Sequence, residues 1–202
     1  DYWDNKFSKK NAFIVLCGSS INMMEKLLGH KSPIYGRRTE QILIEPLKFK
    51  DACLFFPKNL SIKEKIAYYS VLGGMPSYLL EFDFAKSLRE NLTLNLLKKN
   101  KLLYNDVFFV LKEELKEPRN YFSILYSIAK GNAKIGLIVN DTGLEKSFVN
   151  KYLSVLIDLQ IIERRVPITE RNPRRSRNGI YLIRNNFFKF WFKFIFESQE
   201  YI

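Results

Sequence analysis

The chain has 202 residues, enough for one medium domain or two small ones, each with its own core. Thirty-three Lys and Arg against 21 Asp and Glu give a net charge of +12. That excess favours a polyanionic partner, nucleic acid first, although a lysine-rich proteome would colour a surface in the same way. Two distant cysteines, Cys17 and Cys53, exclude a disulfide framework and a zinc spacing, and unpaired thiols fit a reducing cytoplasm. No apolar run approaches the roughly twenty residues of a membrane span, and no signal peptide is visible, so the expectation is a soluble, cytoplasmic protein with no membrane partner.

In chain order, residues 12–17 read as a buried strand stopped by Gly18. Ser20 is placed to cap a helix through Ile21, Met24, Leu27 and Leu28 that Gly29 ends. Residues 41–45 read as a second strand, ended by Pro46. Strand, helix, strand is the unit of a parallel α/β sheet, and two strands cannot complete one. With Asp1 in place of an initiator Met, this implies a piece of a longer chain.

Leu47–Phe56 is apolar-periodic and reads as a helix up to Pro57. Ser61 and Glu64 form a capping box for a helix through Ile66, Tyr69, Val71 and Leu72, broken by Gly73-Gly74-Met75-Pro76. Helices are expected over Ser77–Phe82 and Ala85–Lys99, and over Val107–Leu115 with Asp106 as its cap. Glu117-Pro118 marks a boundary. Beyond it Tyr121–Lys130 is an amphipathic helix closed by Gly131, and a short helix lies around Ile135–Val139. Thr142 and Glu145 suggest a second capping box for Lys146–Leu159, with Phe148, Val149, Tyr152, Leu153, Leu156 and Leu159 inward. Ser147, Asn150, Lys151, Ser154 and Asp158 face out. Strand-like runs Ile161–Ile168 and Ile180–Arg184 flank a basic turn. The order helix, helix, turn, helix, hairpin is that of a winged helix-turn-helix. Asn186–Phe196 is too aromatic for a free tail and is expected to pack as a helix or to begin a further domain.

The chemistry these residues allow is limited. A phosphate loop needs Gly, four residues, then Gly-Lys-Ser/Thr. Gly131 and Gly136 have the spacing, but Leu137-Ile138 follow. No apolar strand ends in an acid pair for magnesium, and the single histidine, His30, supports neither a triad nor a metal site. Ser19 and Ser20 leave the carboxyl end of the first expected strand, where a hydroxyl can sense a phosphoryl group, though Ser20 also serves as a plain helix cap. Arg37 and Arg38 precede the second and can stabilise phosphoryl charge, or can be solvated surface. Gly74 and Pro76 can be a simple helix break. Between Glu163 and Arg184 there are seven arginines and two acids. Arg174, Arg175 and Arg177 at the hairpin tip can follow a phosphate backbone, while Ser147, Asn150, Lys151 and Ser154 can enter a major groove. The same module can instead serve as a lever or a protein-docking surface.

Leu16-Cys17-Gly18-Ser19-Ser20, Ser32-Pro33-Ile34-Tyr35-Gly36-Arg37-Arg38-Thr39, Gly73-Gly74-Met75-Pro76-Ser77-Tyr78-Leu79, Glu117-Pro118-Arg119-Asn120-Tyr121-Phe122 and Phe190-Trp191-Phe192-Lys193-Phe194 together resemble one family. The order is similar to the carboxyl-terminal two-thirds of the AAA+ ATPases of archaea and bacteria, in the branch close to the STAND signalling ATPases. The resemblance implies Ser19 or Ser20 as sensor 1, Arg37 or Arg38 in the arginine-finger region, and Gly74 and Pro76 as the Gly-x-Pro motif of the lid. It also implies ATP and magnesium as cofactors of the intact protein, with none expected on this stretch, and a decayed nuclease-like domain at the carboxyl end. The expected fold is mixed and mainly α: the carboxyl-terminal part of a parallel α/β core over 1–48, a helical lid over 49–116, a winged helix-turn-helix over 117–185, and the start of a further domain or a packing helix over 186–202. The expected function is coupling of ATP binding and hydrolysis to DNA or to a protein partner or self-association. The alternatives are a basic winged-helix DNA-binding module with no nucleotide role, and a nuclease-associated defence or mobile-element factor.

Overall fold

A computed structural model describes residues 6, 10–11, 13–32, 34–115 and 118–200. Asp1, Ala12, Pro33, Lys116, Glu117 and residues 201–202, each part of an expectation above, lie outside the described residues. The chain divides into two compact units, Asp1–Glu40 and Gln41–Ile202.

The first unit contains the helix α1 (Ile21–Leu28), capped as its sequence predicts: the Ser20 hydroxyl accepts from the Met23 amide at 3.2 Å, and Gly29 ends it. The expected strands at 12–17 and 41–45 are not formed among the described residues. Phe13, Val15 and Ile44 are 91%, 71% and 88% exposed, and no described residue joins either run in a ladder. A parallel strand is held by neighbouring strands that satisfy its amides and cover its faces, and among the described residues neither apolar run has a strand beside it. The parallel α/β portion is therefore absent from the described residues, and the fold is mainly helical with a single two-stranded sheet.

The second unit begins with a short helix, α2 (Phe49–Ala52), continued by a 3-10 turn over Cys53–Phe55, so the helix expected to Phe56 is tightened before Pro57. In α3 (Ile62–Leu72) the Ser61–Glu64 capping box forms in both directions. Gly73, at φ +65°, ends α3, and Pro76 opens α4 (Pro76–Leu80) at its first turn. Next, α5 runs only from Leu88 to Asn95, started by a second box, Ser87–Glu90, that the leucine periodicity obscured. Buried Asn91 clasps the preceding loop, exchanging hydrogen bonds of 2.8 Å with the Asp83 backbone. The following helix, α6 (Leu102–Glu114), starts four residues earlier than Asp106, which sits inside it and accepts from the Tyr78 phenol at 2.5 Å instead of capping.

Three helices follow: α7 (Pro118–Lys130), α8 (Ile135–Thr142) and α9 (Lys146–Asp158). The Thr142–Glu145 box does not form. Left-handed Gly143 ends α8 after Thr142, whose hydroxyl donates back to the Ile138 carbonyl, and Glu145 opens α9 without a side-chain cap. Phe148, expected inward, is half exposed at 51%, whereas Val149, Leu153 and Leu156 are buried. A hairpin completes the set. Strands β1 (Ile162–Arg165) and β2 (Ile180–Ile183) pair antiparallel, Ile162 opposite Ile183 and Arg165 opposite Ile180. The first is shorter than the expected run to Ile168, since Pro167 has no amide for a ladder. The Tyr181 amide also donates to the Ala133 carbonyl between α7 and α8, tying hairpin to helices.

The aromatic run forms α10 (Asn186–Phe194), capped by the Asn185 side chain. It buries Phe187, Phe188, Trp191 and Phe192, each worth about 1.5–3 kcal/mol of apolar transfer. This helix packs on both α3 and α7. Phe187 lies against Tyr78 of α4, the Trp191 indole donates to the Tyr104 carbonyl of α6, and Phe192 meets Phe122 of α7. One helix therefore serves the cores of both the early helices and the three-helix, hairpin set.

Candidate functional site

In the first unit, Ser20 uses an oxygen lone pair for its cap, which leaves its O–H proton to donate elsewhere; cap and sensor are chemically compatible. Ser19 and Cys17 are exposed beside it. After α1, successive turns shape the loop: Ser32 to Gly29, Tyr35 to Ser32 and Arg37 to Ile34, with Gly36 at φ +74°. His30 packs against Tyr35 with the rings tilted by 41° and their centroids 4.2 Å apart, so the single histidine is occupied in ordering this loop. These turns deliver a half-buried Arg37 and an exposed Arg38. The candidates Ser19, Ser20, Arg37 and Arg38 belong to this unit, and the candidates Gly74 and Pro76 belong to the other.

The Gly73-Gly74-Met75-Pro76 break is more than a helix stop. The Leu47 backbone crosses directly over Gly74: its amide donates to the Gly74 carbonyl at 2.8 Å, and a Cβ at residue 74 would lie 1.8 Å from the Leu47 oxygen. The Tyr69 phenol donates to that same Leu47 carbonyl at 3.0 Å, while Asn186 of α10 donates to the Tyr69 carbonyl at 3.3 Å. Just before Leu47, Glu45 pairs with Arg184 at the end of β2, at 2.7 Å. The opening segment of the second unit is thus fastened to α3, to the hairpin and, through Tyr69, to α10. Leu47 was not legible as the partner of Gly74, nor Tyr69 as the partner of Leu47, because both contacts join residues more than twenty positions apart in the chain.

On α9, Ser147, Asn150, Lys151 and Ser154 occupy i, i+3, i+4 and i+7 and are all exposed, so they form one stripe. The hairpin loop brings Arg174 and Arg175 into a 3-10 turn, with Arg177 just after it, all exposed. The loop is held from inside. Arg164 donates to the carbonyls of Pro173 and Ser176 at 2.9 and 2.7 Å, and Asn178 donates to Glu170 at 2.5 Å. Gly179 lies beneath the Arg164 guanidinium, where a Cβ would come within 2.6 Å. Of the seven arginines, Arg164, Arg165 and Arg184 are committed to partners within the chain. Arg171, Arg174, Arg175 and Arg177 are exposed and have no carboxylate partner among the described residues, and nothing in the sequence pattern sets Arg171 apart.

No group of three or more His, Cys, Asp or Glu among the described residues can hold a metal ion. No described helix is long and apolar enough to cross a membrane.

Residues 1–82 match an ATPase domain predominantly from Archaea. The match covers Ser19, Ser20, Arg37, Arg38 and the Gly74–Pro76 break. An uncharacterized protein of Methanocaldococcus jannaschii is 40% identical over 190 residues, 94% of this chain and 42% of that protein. The fold is similar to that of a Walker-type ATPase of Pyrococcus abyssi, with a TM-score of 0.54 and 18% identity over 85% of this chain and 49% of that one. The chain therefore spans less than half the length of each of these proteins.

Proposed function

We propose that the chain is the sensor, lid and winged helix-turn-helix region of an AAA+ ATPase, in which the state of the nucleotide sets how the carboxyl-terminal module engages DNA. The observation that carries this reading is the fastening at Leu47. One short segment at the start of the second unit is bonded to Gly74 and Tyr69 of the lid and, through Glu45, to Arg184 of the hairpin. Because α10 packs on both α3 and α7, lid and DNA-binding module are positioned to move as one body. The winged assignment is supported by the order α7, α8, α9, β1, β2, by the Ala133 to Tyr181 bond, and by an arginine turn braced from within. Fixed donors lose less freedom on binding a phosphate backbone than loose ones.

ATP with magnesium would supply the phosphoryl charge that such a region senses. The hydroxyls of Ser19 and Ser20 and the guanidiniums of Arg37 and Arg38 suit phosphoryl oxygens, whereas these 202 residues contain neither a Gly-Lys-Ser/Thr cradle nor an acid pair closing an apolar strand. The role of this stretch is to sense and relay. One observation favours a second reading, a basic DNA-binding module with no nucleotide role: Gly74 is occupied by Leu47, so its lack of a side chain is explained without a ligand.

The test of DNA contact is a fluorescence titration of labelled duplex over a salt series with the Arg174→Ala, Arg175→Ala double variant. Each phosphate contact contributes about 0.9 to the slope of log K against log salt. A slope flatter by about 2 is expected; an unchanged slope removes the arginine turn from the interface.

A further inference from the structure

The geometry points to a second phosphate site, a cleft of about 450 Å³ between the last turn of α7, the hairpin and α10, that takes the backbone of duplex DNA. It rests on the nucleic-acid half of the function proposed above and lies apart in sequence from the arginine turn and the α9 stripe. Five cations line it, Lys130, Arg165, Arg184, Lys189 and Lys193, against one carboxylate, Glu163. Small residues, Ala129, Gly131 and Ala133, line it as well.

The charges are not equally available. Lys130 pairs with Asp141 at 2.9 Å, Arg165 with Glu163, and Arg184 with Glu45 at 2.7 Å. Lys189 and Lys193 have no carboxylate partner among the described residues. They stand one helical turn apart on α10, with Cβ atoms about 5–6 Å from each other, on the side away from Phe187, Phe188, Trp191 and Phe192. Two ammonium groups without a carboxylate partner, Lys193 lying over the Phe194 ring at 5.4 Å, share one cleft with three more cations and suit singly charged groups repeated along a line. A phosphodiester backbone offers that pattern. Arg165 can exchange its surface pair with Glu163 for a phosphate oxygen at little cost, since surface ion pairs are worth only about 0–1 kcal/mol, while Arg184 keeps its pair with Glu45 and adds charge to the rim. The cleft is also continuous with the hairpin that carries the arginine turn, so one partner can run from one to the other.

The experiment uses the full chain and a labelled duplex over a salt series, comparing the Lys189→Ala, Lys193→Ala double variant with the unchanged protein. The Arg174→Ala, Arg175→Ala variant and the charge-keeping Lys189→Arg, Lys193→Arg variant run in parallel. Both lysines are exposed, and thermal melts check that each variant is folded. The alanine pair is expected to flatten the salt slope by about 2, with the arginine pair restoring it. A slope unchanged by the lysine variant, while the Arg174 and Arg175 variant flattens it, overturns the cleft and leaves the arginine turn standing. If the lysine variant alone flattens it, the cleft holds and the turn fails. A fluorescent mononucleotide that loses binding in the lysine variant while duplex affinity is kept reassigns the site to a small anion and also overturns the proposal. So does an unchanged protein that binds no duplex at low salt, which removes the underlying reading as well.

Discussion

Gly74→Ala is expected to destabilise the second unit with no nucleotide present. The added methyl would sit 1.8 Å from the Leu47 oxygen and 2.6 Å from its carbon. Both are main-chain atoms, so no rotamer change relieves the overlap, and Leu47 must withdraw. Withdrawal breaks the Leu47 to Gly74 bond of 2.8 Å and the Tyr69 to Leu47 bond of 3.0 Å. At about 0.5–1.5 kcal/mol net for each bond and about 1–3 kcal/mol for overpacking, less about 0.4–1 kcal/mol returned by the stiffer unfolded chain, the loss is about 2–5 kcal/mol. For a unit of this size that lowers Tm on the order of 10 °C. The control is Gly136→Ala. Residue 136 lies inside α8 with open space around its Cβ position, so alanine there raises stability by about 0.5–1 kcal/mol. Calorimetric or circular-dichroism melts of both variants check the pair. A Gly74→Ala protein that melts with the unchanged chain, and differs only when nucleotide is added, would refute the packing role.

Tyr78→Phe removes a buried phenol that donates to Asp106 at 2.5 Å; burial raises the ionisation of that phenol well above the ordinary tyrosine range, so the donor is retained at any working pH. A loss of about 1.5–3 kcal/mol is expected in urea unfolding, and an unchanged midpoint would show the pair contributes nothing. Glu64 and Glu90 accept from the Ser61 and Ser87 hydroxyls and amides, which hold both carboxyls below their ordinary 4.5. A lowered folded value means their contribution is present above about pH 4.5 and lost as pH falls through that lower value. Below about pH 4.5 the unchanged chain should therefore lose Tm more steeply than the Glu64→Gln, Glu90→Gln variant, and parallel curves would sink this attribution. In the intact protein, replacing Arg37 and Arg38 by alanine is expected to lower ATP turnover at least tenfold, with a smaller change in ATP affinity. Equal losses would mark them as structural.

The features legible in the sequence were the local ones. Ser61–Glu64 forms its box because both partners lie within one turn, and α10 was foreseeable because seven aromatic residues in eleven cannot stay in water. The same local pattern misled at Thr142–Glu145, where Gly143 ends a helix between the two residues, and it was overlooked at Ser87–Glu90 beneath a leucine repeat. Residues 13–16 and 42–44 look like strands by composition alone, yet a strand exists only through neighbours, which composition does not specify. In the candidate site, the exposed stripe on α9 followed from helical periodicity. The division of arginines into bracing and available ones did not, because Arg164 reaches the carbonyls of Pro173 and Ser176 across the hairpin loop. Gly74 carries the same lesson: its reason is Leu47, far away in the chain, and only the folded backbone brings the two together.

The most direct test of coupling is the affinity of the intact protein for duplex DNA at fixed salt, measured with and without a non-hydrolysable ATP analogue. A change of about fivefold or more is expected, with the affinity for the analogue changing by the same factor when DNA is present, as linkage requires. Identical DNA affinities in the two conditions would contradict the relay from nucleotide to DNA.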